Sequence, residues 1–302
     1  MDDVLNKRDA YPSGMANGAA GREDRGLRGA WSSFQRHWQA DPGRDLAPFV
    51  SRYWFVAWDL RGQAPYRQLI VPDPNVHLSF VNDTAAAVHG VARRHKYRVL
   101  EGAGRVFGVA FRPGCFRPFL RSPVSAITDR SVTAREVFGP DVPQQAMAQA
   151  ADEGEMVHVA ERFLRANLPR HDPTAQTVTA IVARIAAEPD ITRVDTLADR
   201  LDTSVRRLQR LFAEYVGVGP KWVIRRSRLH EVNQRLATGF PLDWARLAAE
   251  LGYADQAHFT RDFTAMIGEP PTRYAQRYPT RPRPSSQHPP SGTSREFATG
   301  RS

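Results

Sequence analysis

Between Leu197 and Tyr278 the sequence states one pattern twice. In the first copy Leu197, Ala198 and Leu201 are followed by a break at Asp202 and Thr203 and then by the run from Ser204 to Phe212. In the second, Leu247, Ala248 and Leu251 lead through Gly252 and Tyr253 to the run from Asp255 to Phe263. Leu208, Arg210 and Phe212 share their spacing with Phe259, Arg261 and Phe263, with one extra residue in the second turn. Each copy predicts helix, tight turn, helix, which confines this third of the chain to an all-helical unit. Ser204 and Asp255 stand where an N-cap is needed before the second helix of each copy. Gly252 suits the end of the helix before it.

The 3.6-residue period sorts the side chains of these second helices. Val205, Leu208, Phe212 and Tyr215 form one stripe, which leaves Arg206, Gln209 and Arg210 on another face. In the second copy Phe259, Phe263 and Ile267 form the buried stripe, and His258, Arg261 and Asp262 share the outward one. Arg can bond guanine O6 and N7, and Gln can bond adenine N6 and N7, so both outward faces carry groups suited to base edges. Between the copies, Pro220 to Ala237 predicts one connecting helix, opened by Pro and followed by Gly239. Its 18 residues span roughly 27 Å at 1.5 Å each. Recognition helices held that far apart suit consecutive major grooves, which lie about 34 Å apart on one face of B-DNA.

The spaced set Ser204, Leu208, Arg210, Phe212, Gly217, Pro220, Arg228, Leu229, Leu236, Leu247, Ala248, Gly252, Tyr253, His258, Phe259, Arg261, Phe263, Gly268, Pro271 and Tyr274 resembles the DNA-binding domain of AraC/XylS-type transcription regulators. The sequence departs from that pattern at Val232, where the family usually has Ala, and at Leu247, where it usually has Ile. The resemblance implies a double helix-turn-helix domain over 176–278. Base reading is expected from Arg206, Gln209, Arg210, Gln256, His258 and Arg261, and phosphate contact from Ser204, Arg207, Arg225 and Thr260. Double-stranded DNA is the expected partner, with RNA polymerase, a small-molecule effector and a second copy of the chain as further candidates.

Charge agrees with a polyanionic partner. The 302 residues carry a formal +10. From Ser204 to Arg235 there are eight Lys or Arg against two acids, Glu214 and Glu231. A length of 302 residues suggests about two domains. No apolar run approaches the ~20 residues that span a bilayer, and the N-terminus has no signal-peptide core. A cytoplasmic protein without membrane contact is expected. The single cysteine, Cys115, excludes an internal disulfide framework and a multi-cysteine zinc site.

Residues 1–30 have almost no clustered apolar side chains and are expected to be disordered. Short strands are expected over Phe49–Leu60, Arg67–Val71, Val76–Val81, Ala86–Val91 and Arg105–Phe111, divided by turn-forming residues. They predict a small, mostly antiparallel β unit. A helical turn follows Gly114, and a helical region covers about Gln144–Leu168. The fold class is thus α+β: a β-rich sensor or dimerisation domain over 31–168, a linker over 169–175, the helical domain, and a Pro- and Arg-rich disordered tail over 279–302. Because the two halves differ in periodicity, residues 176–302 are expected to fold alone. The N-terminal half resembles, more loosely, the β-rich regulatory domain that precedes such DNA-binding modules, through Val71–Phe80 and Gly108–Gly114. This implies effector sensing or dimerisation.

No catalytic constellation emerges, and no enzyme activity, cofactor or metal is expected. His77, His89 and His95 have no carboxylate or second histidine at metal-ligand spacing, and Cys115 reads better as a buried thiol than as a nucleophile. Trp54, Trp58, Phe80 and Phe111 are the candidates for an effector pocket, although core packing is the default for aromatics in strands. Two other readings compete: a non-specific architectural DNA-binding protein, and an N-terminal enzyme with the helical half as its DNA-targeting module.

Overall fold

The computed structural model describes residues 34–81, 85–237 and 242–276. The expected disordered segments 1–30 and 279–302 lie outside the described residues. The strands are β1 (Gln35–Ala40), β2 (Val50–Asp59), β3 (Tyr66–Ile70), β4 (His77–Val81), β5 (Ala87–His89), β6 (Lys96–Leu100), β7 (Ala103–Phe111) and β8 (Ser131–Thr133). Six of them form one sheet in the order β1-β2-β7-β4-β5-β8, and β3 pairs with β6 in a separate antiparallel ribbon. The β-rich α+β architecture expected from the sequence is present.

The faces of β2 are set by a bulge. Its register against β7 shifts between Val50 and Arg52, so the alternation restarts there. Beyond the bulge Tyr53 and Phe55 turn into the core, while Arg52, Trp54 and Val56 lie together on the opposite face. On β4 the same alternation buries Leu78 and Phe80 in the core and sends His77 and Ser79 to the face of Trp54. Central β7 is buried from Val106 to Phe111 because both of its faces are covered.

The helices are α1 (Arg117–Leu120), α2 (Ala134–Phe138), α3 (Gln144–Gln149), α4 (Glu153–Ala166), α5 (Pro173–Ala187), α6 (Val194–Arg200), α7 (Val205–Tyr215), α8 (Pro220–Ala237), α9 (Trp244–Glu250), α10 (Gln256–Ile267) and α11 (Pro271–Ala275). The single helical region expected over Gln144–Leu168 is two helices, because the Asp152 carboxylate accepts from the Glu155 amide and starts α4 afresh. Similarly, α5 begins inside the stretch expected to be a linker. Asp172 caps it by accepting from the Thr174 and Ala175 amides, and Pro173 occupies its first position. An Asp-Pro pair opens a helix as readily as it marks a loop.

The apolar core does not divide at that stretch. One continuous cluster runs from the sheet through Phe116, Phe119, Phe163 and Leu164 into Val178, Ile181, Leu208, Phe212 and the first half of α8 at Val223 and Ile224. A second cluster joins the far half of α8 (Leu229, Val232, Leu236) to α9, α10 and α11. The connecting helix therefore belongs to both cores, and Trp222 packs against each.

Candidate nucleic-acid interface

The sequence duplication is a duplication of backbone geometry. After α6 the Thr203 amide donates to the Ala198 carbonyl, and after α9 the Tyr253 amide donates to the Ala248 carbonyl. Asp202 (φ 46°) and Gly252 (φ 79°) hold the same left-handed position of the two turns. The Ser204 hydroxyl then accepts from the Arg207 amide at 3.2 Å, and the Asp255 carboxylate accepts from the His258 amide at 2.6 Å. Gly217 (φ 92°) follows α7 as Gly268 (φ 91°) follows α10. Pro220 and Pro271 open the next helices. Two helix-turn-helix units of one design are thus carried on α6–α7 and α9–α10.

On α7, Arg206, Arg207, Gln209 and Arg210 are exposed, and their side chains make no ion pair or hydrogen bond among the described residues. Ser204 is engaged as the cap. On α10, Gln256 and Arg261 are exposed and equally unengaged, while Thr260 is half-buried. His258 and Asp262 are different. The Arg225 guanidinium forms an ion pair with Asp262 at 2.9 Å, and His258 Nε2 lies 3.4 Å from Arg225 and 3.8 Å from Asp262. His258 and Asp262 therefore face α8, and Arg225, expected on a phosphate, is held inside the domain.

The cationic run from Ser204 to Arg235 splits by location. Arg226 is 5% exposed and donates to the Pro72 carbonyl; Arg228 is 2% exposed and donates to the Ile185 and Glu188 carbonyls. Arg235 is paired with Glu231 and Glu250. The connecting helix thus spends most of its positive charge on packing, as buried charge requires, and the outward cations are those of α7 together with Lys221.

Among the four aromatics expected to line a pocket, Trp54 alone borders a cavity of about 510 Å³ between the six-stranded sheet and the β3–β6 ribbon. Its ring lies on Gly108, where a Cβ would approach to 2.0 Å. Trp58 instead packs against Leu60 and Leu100 and donates to the Glu101 carbonyl. Phe80 points through the sheet to a small gap beside Phe107, Met147 and Met156. Phe111 is fully buried, with Phe116 at 4.7 Å and Phe119 at 5.3 Å. Strand parity explains both of the last two: they lie on the core face.

The cavity holds polar residues that sequence spacing did not single out. Trp54 Nε1 donates to His77 Nδ1 at 3.2 Å, which places the His77 proton on Nε2, 3.1 Å from Asp73. Ser79, His89 and Ser131 form a chain with both links at 2.7 Å. Burial, with the positive charge of Lys96 next, pushes the His89 pKa down to about 4 and keeps the ring neutral. The alternation of β4 was legible, but these partners come from strands far apart in the chain. Cys115 is buried against the Pro48 carbonyl and Thr179, and burial raises its pKa. No group of three or more His, Cys, Asp or Glu side chains able to hold a metal occurs among the described residues, and no helix among them is long and apolar enough to cross a membrane.

The ribbon that walls the cavity also holds the second helix-turn-helix unit. Val71 packs on its apolar cluster and the Pro72 carbonyl accepts from Arg226, while both residues line the cavity. Nearby, Trp222 Nε1 donates to the Arg93 carbonyl at 2.9 Å, and His95 Nδ1 lies 2.9 Å from the Ala265 carbonyl. The first unit is fixed separately. Arg117 pairs with Glu214 at 2.9 Å, and Gly217 fits where a Cβ would come within 3.0 Å of Val124 and Thr128.

A two-helix reading unit built twice, capped twice and joined by one helix defines a helix-turn-helix DNA-binding protein. Residues 197–277 match the family described as a helix-turn-helix domain, and residues 39–133 match a domain of unknown function, DUF6597. The chain thus carries a helix-turn-helix DNA-binding domain behind a β-rich N-terminal region. A point variant of apo ToxT from Vibrio cholerae strain SCE256 is similar at 13% identity and a TM-score of 0.39, over 79% of this chain and 100% of that one. Unsaturated fatty acid bound wild-type ToxT from the same strain is similar at 11% identity and 0.36, over 81% and 95%. The C-terminal domain of AraT, a response regulator from Geobacillus stearothermophilus, is similar at 19% identity and 0.32, over 40% and 98%. No curated protein gives a significant match.

Proposed function

We propose that this regulator binds DNA sequence-specifically, with α7 and α10 entering consecutive major grooves, and that a ligand in the β-domain cavity controls it. Arg206, Gln209 and Arg210 read bases from α7, and Gln256 and Arg261 from α10, with His258 at the edge of that face. Arg207 and the cap of α7 at Ser204 meet the phosphate backbone, as does Thr260. The observation that carries this reading is the equivalence of Arg210 and Arg261: each stands two residues before the buried Phe of its helix, exposed and without a partner among the described residues. Control through the cavity is supported by the ribbon residues that both line it and hold the second unit. RNA polymerase and a second copy of the chain are the further partners of such a regulator, and a DNA partner implies a cytoplasmic site of action.

Selection of bound duplexes from a random library tests this. The selected motif should have two conserved segments one helical turn apart, and Arg210→Ala or Arg261→Ala should each relax preference in one segment at a loss of about 1 to 3 kcal/mol. A loss equal on all sequences would make that Arg a phosphate contact. A library with no enriched motif would favour a non-specific architectural protein.

A further inference from the structure

The cavity under the ribbon is lined by charge of predominantly one sign. Arg52, Lys96 and Arg98 line it against one carboxylate, Asp73. That carboxylate is already engaged, by Arg52 at 3.3 Å and by His77 at 3.1 Å. Lys96 and Arg98 stand two residues apart on β6, so they share a face of the ribbon. Their side chains make no hydrogen bond or ion pair among the described residues. Lys96 also borders a neighbouring cleft of about 690 Å³ that reaches Trp222 and Met266 of the second unit. Its pKa is lowered, first by the partial desolvation of its ammonium at the cavity wall and then by Arg98, although the residue as a whole is exposed.

Like charges gathered without a counter-charge in a partly enclosed space are costly, and an anion between them removes the cost. The rest of the lining is mainly apolar, with Trp38, Trp54, Ile70 and Val106 among it. The histidines add no negative charge. A volume of about 510 Å³ is that of a site for a small organic molecule. We propose that the cavity takes an organic acid, its carboxylate seated between Lys96 and Arg98 and its flat apolar body lying against Trp54. This inference rests on the reading of the cavity as the control site and adds the chemical class of what fills it.

The test compares three probes of one shape and different charge by titration calorimetry with the full chain near neutral pH: 2-naphthylacetate, 2-naphthylacetamide and 2-(2-naphthyl)ethylamine. The acid should bind at least about tenfold more tightly than the amide and the amine, the effect of one hydrogen bond to a charged group. Lys96→Met with Arg98→Met should erase that difference, weakening the acid far more than the amide. Should the double variant fail to fold, Lys96→Gln and Arg98→Gln singly carry the same test, since both residues are exposed. Equal affinities, or a preference for the amine, would overturn the acid class while leaving the cavity as the control site. No binding of any probe, or binding unaffected by Trp54→Ala, would overturn both.

Discussion

Arg225 separates two accounts of how the second unit meets DNA. From its sequence position it should hold a phosphate, and its loss should then reduce the salt slope of binding by about 0.9. In the structure its guanidinium lies 2.9 Å from Asp262, and the two side chains are only 30% and 22% exposed. A pair so placed is internally neutral, and removing one partner strands the other. Arg225→Ala should therefore act through Asp262: an unpaired carboxylate on the recognition helix repels phosphates and lowers affinity by roughly 1 kcal/mol, about fivefold. Adding Asp262→Asn should restore affinity to within about threefold of the parent, with the salt slope unchanged. Asp262→Asn alone should free the guanidinium, raise affinity and steepen the slope by up to about 0.9. Fluorescence anisotropy on a selected duplex from about 50 to 200 mM KCl reads all three variants. If Arg225→Ala makes the slope shallower by about 0.9 and Asp262→Asn does not rescue it, the internal pairing is not what Arg225 does on DNA.

The shared core and the half-buried His89 each give a further test. Residues 176–302 expressed alone should lack cooperative unfolding by circular dichroism, because the cut removes the Asp172 cap and strips the β domain from Val178 and Ile181, each worth about 1.5 to 3 kcal/mol of burial; a sharp transition matching that of the full chain would contradict the shared core. His89, with its folded pKa near 4 against about 6.5 unfolded, is neutral when folded, so its contribution is whole above about pH 6.5 and is lost as pH falls toward 4. Urea unfolding at about pH 7 and about pH 4.5 should show the full chain losing roughly 2 kcal/mol more than His89→Gln; equal losses would place the histidine in water.

The helical half was legible because its signals are local: a cap, a left-handed turn position and a 3.6-residue stripe each lie within a dozen residues. Hence the sequence alone places Ser204, Asp255, Leu208 and Phe259. Half of the ribbon is legible: β3 reads as a strand, while in β6 Tyr97 and Val99 alternate with Lys96 and Arg98 over only five residues and stay exposed, so the alternation is too short to stand out. Of the four pocket aromatics, Phe80 and Phe111 lie on the core face of β4 and β7, and Trp58 lies near the end of β2 on Leu60 and Leu100, and which face of a strand the cavity opens on is not a local signal. Charge misled in its own way. The cations of α8 read as a DNA-facing run, but Arg226 and Arg228 are interior donors to carbonyls, and their partners at Pro72 and Ile185 lie 154 and 43 residues away.

What joins cavity to DNA is the division of α8 between two cores. Its first half is fixed to the β domain through Val223 and Ile224, so α7 moves with the sheet; its second half belongs to the unit that carries α10. The first half of α8 meets the β domain at Arg226 on Pro72 and Trp222 on Arg93, and the second unit meets it at Val71 in its apolar cluster, His95 on Ala265, and Gly268 beside Leu69 and Tyr97. A neutral hydrogen bond contributes about 0.5 to 1.5 kcal/mol and one to a charged group about 1.5 to 3. Couplings between sites in regulated proteins are typically about 1 to 3 kcal/mol. The docking contacts are of the same order, so occupation of the cavity can change how firmly the second unit is held without unfolding anything. Val71 lines the cavity and packs on the second cluster, and Pro72 lines it and holds Arg226 of α8, so these two residues are where a ligand in the cavity would act. A ligand that binds the docked and released forms equally would shift nothing, however tightly it bound. Under the proposed control, the quantity a ligand would change is the placement of α10 relative to α7, on which the proposed engagement of two consecutive grooves depends.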